Sequence, residues 1–430
     1  MKVFLDTIGC RLNQSEIERI GSQFRKEGHE LVESAQEADL VVVNTCTVTN
    51  AAASDSRQKI RQAGRNPRAD IVVTGCWATM EPDAAATLPG VSHVVNNAAK
   101  DSIAALYPGQ RLPGYDLEPL ARQPLPGLHA RTRAFIKAQD GCDNFCTYCI
   151  TRIARGQSRS QSMQEVLEDI RSAAAGGVKE IVLSGVQLGS WGQEFDPPLH
   201  LHELIRIILA ETEIPRVRLS SVEPWNLDET FLALWQDPRL CRHFHLPLQS
   251  GAAATLKRMV RNTTPEDYRQ LVKLIRGMIP QAGITTDILV GFPGETEDDF
   301  FESAAFVNEM RFAAGHVFPF SPRAGTAAAR MNNQVPPAVR KQRARVMRQA
   351  LTLSNREFLQ QFIGESMDVL WESADALGPD GWQMHGLTDN YIRVTAVSPE
   401  LRQNQINRVI LVEIDGDGMR ARIEKEPKRT

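Results

Sequence analysis

The sequence predicts an α/β protein in three parts: an N-terminal parallel α/β domain, a central (β/α) partial barrel, and a small C-terminal all-β domain. Three observations predict it. Apolar strand-like runs alternate with amphipathic helical stretches through the first two parts, the pattern of a parallel sheet with crossover helices. A basic stretch from Arg323 to Arg356 then interrupts the alternation. Beyond it, short strands separated by Gly and Asp turns replace the helices. At 430 residues the chain exceeds one ordinary core. The boundaries are expected at 1–115, a linker at 116–130, 131–360 and 361–430.

The first part opens on a strand at Lys2–Asp6, followed by TIGC and then a helix on which Ile17, Ile20 and Phe24 share one face. Asn13 with Glu16 reads as a capping box at its start. Strands follow at Leu40–Asn44 and Asp70–Thr74. Each of the three strands runs into a cysteine: Cys10, Cys46 and Cys76. Their separations, 36 and 30 residues, match a strand–helix–strand repeat, so three thiols distant in sequence converge on one edge of a parallel sheet. Three unrelated core cysteines would have to fall at the same phase of the repeat by chance.

The seven cysteines include a second group, Cys142, Cys146 and Cys149, spaced C-x3-C-x2-C in GCDNFCTYC. Structural zinc takes four ligands, and no second knuckle follows; His129 or Cys241 would have to complete it from afar. A four-iron, four-sulfide cube held by three cysteines instead leaves one iron open to a cofactor or substrate. Net charge is −3 and charged residues make up 23% of the chain, which suits a globular protein and announces no polyanionic partner globally. The start lacks the basic region and apolar run of a signal peptide, and no apolar segment long enough for a membrane span follows. A cytoplasmic protein with no membrane association is expected.

The central strand–helix units read as helices at Met163–Ala175, His200–Glu211, Asp228–Trp235, Ala253–Met259, Pro265–Met278 and Asp298–Met310. Strands read at Glu180–Ser184, Val217–Ser221, His243–Leu248, Ile284–Val290 and Ala314–Phe320. Ligands belong at the carboxyl ends of such strands, where Gln187, Ser220, Glu223, Gln249, Asp287, Gly291 and Gly294 cluster.

The C-x3-C-x2-C run, with Tyr148 before its last cysteine, resembles the radical S-adenosylmethionine superfamily. The resemblance implies a [4Fe-4S] cluster on Cys142, Cys146 and Cys149 whose open iron chelates S-adenosylmethionine. It implies cofactor contacts at Tyr148, at the glycine pair Gly176–Gly177, and at Ser220, Glu223, Gln249, Asp287 and Gly291. TIGCRLNQSE, VVVNTCTV, VTGCWA, HLPLQSG and DILVGFPGETEDDF then narrow the likeness to the methylthiotransferases over nearly the whole chain. That family implies a second [4Fe-4S] cluster on Cys10, Cys46 and Cys76, radical attack on an unactivated C–H bond, and a C-terminal RNA-binding TRAM domain. TIGCRLNQSE and HVFPFSPRAGT resemble the branch that acts on N6-threonylcarbamoyladenosine at position 37 of transfer RNA. The implied partners are a transfer-RNA anticodon stem-loop, an electron donor such as flavodoxin or ferredoxin, and a sulfur donor the sequence does not name. Competing readings are the sibling substrates, isopentenyladenosine-37 and a ribosomal-protein aspartate, and a non-catalytic iron–sulfur RNA-binding protein.

Two stretches are expected to meet the RNA. Arg340, Lys341, Arg343, Arg345 and Arg348 lie on a helix opened by Pro336-Pro337 and would position phosphates. Strands at Phe362–Glu372, Met384–Leu387, Tyr391–Ala396 and Val409–Ile414 suit a small barrel, in which Asn390, Tyr391 and Arg393 of GLTDNYIRV would stack on or bond to nucleotides.

Overall fold

The computed structural model describes residues 1–110 and 132–424, so the expected linker at 116–130 and His129 lie outside the described residues. The first domain is a parallel five-stranded sheet with the order β2-β1-β3-β4-β5, comprising Lys2–Thr7 (β1), Glu30–Leu31 (β2), Leu40–Thr45 (β3), Asp70–Gly75 (β4) and Val91–Val94 (β5). Every residue of β3 is buried, as a central parallel strand requires. Its side chains alternate between two cores. Val41 and Val43 pack with Ile60 and Trp77, whereas Leu40 and Val42 pack with Ile17, Ile20 and Phe24 of helix α1 (Arg11–Lys26). The expected capping box is corrected: α1 starts on Cys10 as its N-cap, which leaves Asn13 and Glu16 buried inside the helix.

The central domain carries two three-stranded parallel sheets. One has Arg133–Lys137 (β6), Glu180–Ser184 (β9) and Arg216–Leu219 (β10); the other has His243–His245 (β11), Gly283–Val290 (β12) and Ala314–Pro319 (β13). The two-residue strands Gln139–Asp140 (β7) and Arg159–Ser160 (β8) pair with each other beside them. Bridges from Val217 to Leu240 and from Ser221 to His245 join the two sheets into one arc. Among the described residues no pairing links β13 to β6, so the barrel is partial, and α1 packs along β6. The strand expected at His243–Leu248 stops at His245, because Pro247 has no N–H to give a ladder. The helix expected at Asp228–Trp235 is one short α-turn, Glu229–Leu232, followed by a 3-10 turn, Ala233–Gln236.

A 24-residue helix, Pro337–Gln360, crosses from β13 to a closed C-terminal barrel. Its strands are Ser366–Gly378 (β14), Gly381–Thr388 (β15), Arg393–Ser398 (β16), Ile406–Asp415 (β17) and Gly418–Ile423 (β18), in the order β14-β15-β16-β18-β17. The last strand was not expected from its polar GMRARI sequence; Met419 and Ala421 supply its inward face. Phe358, Leu359 and Phe362 from the long helix and the residues after it join this barrel's core.

The turn between β15 and β16 docks on the amino ends of the central strands. Arg218 donates to the carbonyls of Asp389 at 2.8 Å and Thr388 at 3.1 Å, and Arg242 pairs with the Asp389 carboxylate at 2.6 Å. The Tyr391 ring stacks on His243 with centroids 4.1 Å apart. Gly283 permits the approach, since a Cβ there would lie 2.1 Å from the Asn390 carbonyl oxygen. Among the described residues, no helix is long and apolar enough to cross a membrane.

Candidate active site

The central triplet sits on the loop between β7 and a short helix, Thr151–Arg155. All three cysteines are half-buried. The Cys142 thiol lies 3.3 Å from Gln187 Oε1, and the backbone N–H of Asn144 points at the same sulfur at 3.4 Å. The Thr151 N–H reaches Cys149 Sγ at 3.4 Å, and Arg261 Nη1 lies 3.8 Å from Cys146 Sγ. Burial pushes the Cys142 thiol up to about 11, and the neighbouring thiols of Cys149 and Cys146 push it the same way. Thiols that raise one another's pKa are close together, and binding a metal centre relieves their repulsion as thiolates.

Among the described residues no three His, Cys, Asp or Glu side chains converge tightly enough for a single ion. Zinc would need a fourth ligand beside Cys142, Cys146 and Cys149. Cys241, the remote ligand considered for it, is buried at the far end of the arc, 3.8 Å from Glu180. A four-iron cube spreads its thiolates more widely, and N–H groups and cations directed at sulfur are what such a cluster accepts. The residues present fit that group.

The second triplet gathers where the adjacent strands β1, β3 and β4 end. Cys10 is exposed, and Cys46 and Cys76 are buried. Gly9, at φ +109°, lets Cys46 approach: a Cβ there would lie 2.7 Å from Cys46 Sγ. Burial raises the Cys46 thiol to about 11, and Cys10 and Cys76 add to the shift. Asn97 Nδ2 lies 3.6 Å from Cys76 Sγ, and Asn13 Oδ1 lies 3.7 Å from Cys10 Sγ.

Between the triplets lies a buried polar network. Glu16 accepts from Lys100 at 2.6 Å and from Arg155 at 2.9 Å, while Arg155 also reaches Asp140 at 2.8 Å and Asn13 at 2.7 Å. Three cations near it hold the Glu16 carboxyl well below the usual range, overcoming its burial. Arg155, Asn97 and Arg261 went unnoticed in the sequence. For Arg155 a signal existed, an arginine six positions after the last cysteine of the motif.

Of the strand-end residues, Gln187 touches the central triplet directly and Glu223 reaches it through Arg261. Glu223 pairs with Arg261 at 2.6 Å, and Arg261 also donates to the Pro247 carbonyl at 2.7 Å. Ser220 is buried, with no protein partner for its hydroxyl among the described residues. Gln249 holds a positive φ of 72°, and Asp287 faces His245 at 3.3 Å. Tyr148 packs edge-to-face on Phe292, and the Gly291 N–H bonds Glu295 at 2.9 Å.

Gly176 and Gly177 do not join this group. They end the helix Met163–Ala175 ahead of β9, at the amino edge of the arc, where Asn404 of the C-terminal barrel donates to the Gly177 carbonyl at 2.8 Å. Three RNA expectations are corrected likewise. Arg343 is buried against Glu295 at 2.6 Å, Asn390 is fully buried, and Tyr391 is occupied by His243 and Arg11. Lys341, Arg345 and Arg348 are exposed, Arg340 lies half-buried against Gly291, and Arg393 is exposed beside Asp417.

Residues 2–96 match the uncharacterized protein family UPF0004, and residues 136–307 match the radical SAM superfamily, so one triplet falls in each. A threonylcarbamoyladenosine tRNA methylthiotransferase MtaB of Bacillus subtilis is 35% identical over 426 residues, covering 96% of this chain and 93% of the relative. A tRNA-2-methylthio-N(6)-dimethylallyladenosine synthase of Acetivibrio thermocellus is 33% identical, covering 86% and 80%. The fold is similar to TsrM of Kitasatospora setae, a radical S-adenosylmethionine methyltransferase solved with cobalamin and a [4Fe-4S] cluster. That match has a TM-score of 0.57 and 16% identity, covering 76% of this chain and 74% of that one. With such identity over nearly the full length of both chains, and a thiol triplet in each matched domain, this protein belongs to the methylthiotransferase family of radical S-adenosylmethionine enzymes.

Proposed function

We propose that the protein inserts a methylthio group at C2 of N6-threonylcarbamoyladenosine-37 in transfer RNA, using two [4Fe-4S] clusters and S-adenosylmethionine. The observation that carries this reading is the closeness of the two triplets. One amide group, Asn97 Nδ2, bonds the Ala154 carbonyl at 2.7 Å and lies 3.6 Å from Cys76 Sγ, while Ala154 is five residues past Cys149. The choice of substrate is supported by TIGCRLNQSE and by the activity for which the Bacillus subtilis relative is named.

When bound, the clusters and cofactor would supply the radical that takes hydrogen from C2 and the methylated sulfur that replaces it. The chain's own residues hold and enclose them. Cys142, Cys146 and Cys149 would ligate one cluster, with Gln187 and Arg261 beside the sulfurs. Cys10, Cys46 and Cys76 would ligate the other. Ser220, Glu223, Gln249 and Asp287 offer polar groups to the cofactor's ribose and amino-acid portions, and Tyr148 and Gly291 shape the wall. Ser220 has a hydroxyl to give, because nothing in the described protein engages it. Enclosure between the domains would exclude water and stray hydrogen donors from the radical. Lys341, Arg345 and Arg348 would meet phosphates of the anticodon stem-loop. A reductant of the flavodoxin or ferredoxin type would supply electrons.

The test is mass spectrometry of transfer-RNA nucleosides from cells with and without the gene. Loss of 2-methylthio-N6-threonylcarbamoyladenosine, with accumulation of its unthiolated precursor, is expected. Loss of the isopentenyl counterpart alone would overturn the substrate, and no change in any nucleoside would overturn the reading.

A further inference from the structure

The helix Thr151–Arg155 starts two residues after Cys149, so anything anchored at Arg155 is anchored relative to the central triplet. The Arg155 side chain is 2% exposed, and its partners come from both domains. Glu16 and Asn13 belong to α1, which starts at Cys10; Asp140 lies two residues before Cys142. The Asn13 oxygen that Arg155 bonds is also the one nearest the Cys10 sulfur. Next to Arg155, the Ala154 carbonyl holds the amide that approaches Cys76. The guanidinium is therefore one side chain away from a thiol of the N-terminal triplet and one short helix away from the central one.

Charge adds a second observation. Among the described residues Glu16 and Asp140 face four cations, Arg155, Lys100, Lys137 and the exposed Arg159 at 4.0 Å from Asp140; Lys137 lies 3.5 Å from Glu16 and 3.3 Å from Asp140. Both carboxylates share Arg155 and Lys137, and Arg155 lies next to the groups that touch Cys10 and Cys76. A buried ion pair is a poor means of joining two domains, because packed apolar side chains of similar size do so at least as well. A buried cation favours the charged form of an anion placed beside it.

We propose that Arg155 is a positioning residue with two effects: it fixes the separation of the two clusters, and its charge stabilises the anionic sulfur carried at Cys10, Cys46 and Cys76. This rests on the two-cluster reading above. It extends that reading by assigning to a residue of the radical domain control over the cluster of the other domain.

The test measures the reduction potential of the N-terminal cluster in the full chain carrying Cys142→Ala, Cys146→Ala and Cys149→Ala, which leaves that cluster alone to titrate. A cation favours the more negative, reduced state, so Arg155→Gln should lower the potential. The expected shift is at least a tenfold change in the reduction equilibrium, about 59 mV for one electron. Arg155→Lys keeps the charge and should recover most of it. Glu16→Gln removes an anion from the same network and should move the potential the opposite way. General loosening of the fold would move all three in one direction. An unchanged potential in Arg155→Gln, or equal shifts in Arg155→Gln and Arg155→Lys, would overturn the proposal. Should Arg155→Gln fail to fold, a potential in Glu16→Gln that does not rise would overturn it. A triple-alanine protein that takes up no cluster would overturn the two-cluster reading and this inference with it; a loaded cluster with unmoved potentials overturns this inference alone.

Discussion

His243 stands at the base of the central arc, fully buried, with Nε2 bonded to Thr285 at 2.9 Å and its ring covered by Tyr391. Burial and the nearby Arg218 guanidinium hold its pKa well below the usual imidazole value. A depressed folded-state pKa makes His243 neutral in the protein, whereas the unfolded chain binds a proton below ~6.5. Its contribution to stability is therefore complete above ~pH 6.5 and is lost as pH falls toward the folded value, at about 1.4 kcal/mol per pH unit. Glu180, paired with Arg218 at 2.7 Å, has its pKa lowered despite burial and adds a second loss in the carboxylate range. Urea midpoints of wild type and His243→Gln, compared from pH 7.5 to 5.5, should converge as pH falls. Acid damage to bound clusters is common to both proteins, so a difference independent of pH would contradict the account. At this scale the six cysteines were legible because their spacing or repeat phase is a property of the sequence itself. Arg155, Asn97 and Arg261 were not, because each acquires its meaning from a partner more than 20 residues away. Gly176–Gly177 was misplaced because a helix-ending glycine pair looks alike at either edge of a parallel sheet.

The helix Pro337–Gln360 shows the same limit for an element. Its existence and its start after Pro336 followed from proline's fit to a first helical turn. Which arginines face water did not follow, because Arg343, whose partner Glu295 is distant in sequence, falls inside the stripe the helix buries. It packs on β13 through Ala344, Met347 and Leu351, and it spends Arg343 on Glu295. The exposed Lys341, Arg345 and Arg348 carry the expectation for RNA. Replacing all three with Ala should weaken binding of the anticodon stem-loop and lower the slope of log K against log salt by about 0.9 per lost phosphate contact. An unchanged slope would place the RNA elsewhere. Arg343→Ala should instead lower thermal stability, since it strands the buried Glu295. The GLTDNYIRV segment was expected to present Asn390, Tyr391 and Arg393 to RNA, yet Asp389, Asn390 and Tyr391 serve docking rather than an open face. The arginines that receive it, Arg216, Arg218 and Arg242, lie on or beside central strands, and no local pattern connects the two.

At the scale of the whole molecule, the three-part order was legible because each part has its own periodicity. The way the parts meet was not. The N-terminal sheet lies beside the open arc through α1, Arg155 bonds across that boundary, and Tyr391 of the third domain takes a hydrogen bond from Arg11 of the first. These contacts tie each thiol triplet to one shared buried network, and that arrangement is the centre of the functional account. The most direct measurement uses reconstituted protein with S-adenosylmethionine, a reductant and a transfer RNA bearing N6-threonylcarbamoyladenosine-37. The full chain is compared with the Cys10→Ala, Cys46→Ala, Cys76→Ala variant, and 5′-deoxyadenosine and the 2-methylthio nucleoside are measured in the same reaction. The account predicts that the variant still forms 5′-deoxyadenosine and yields no methylthio product, whereas the full chain forms both. Methylthio product from the variant, or none from the fully loaded chain while it cleaves the cofactor on this RNA, would contradict it.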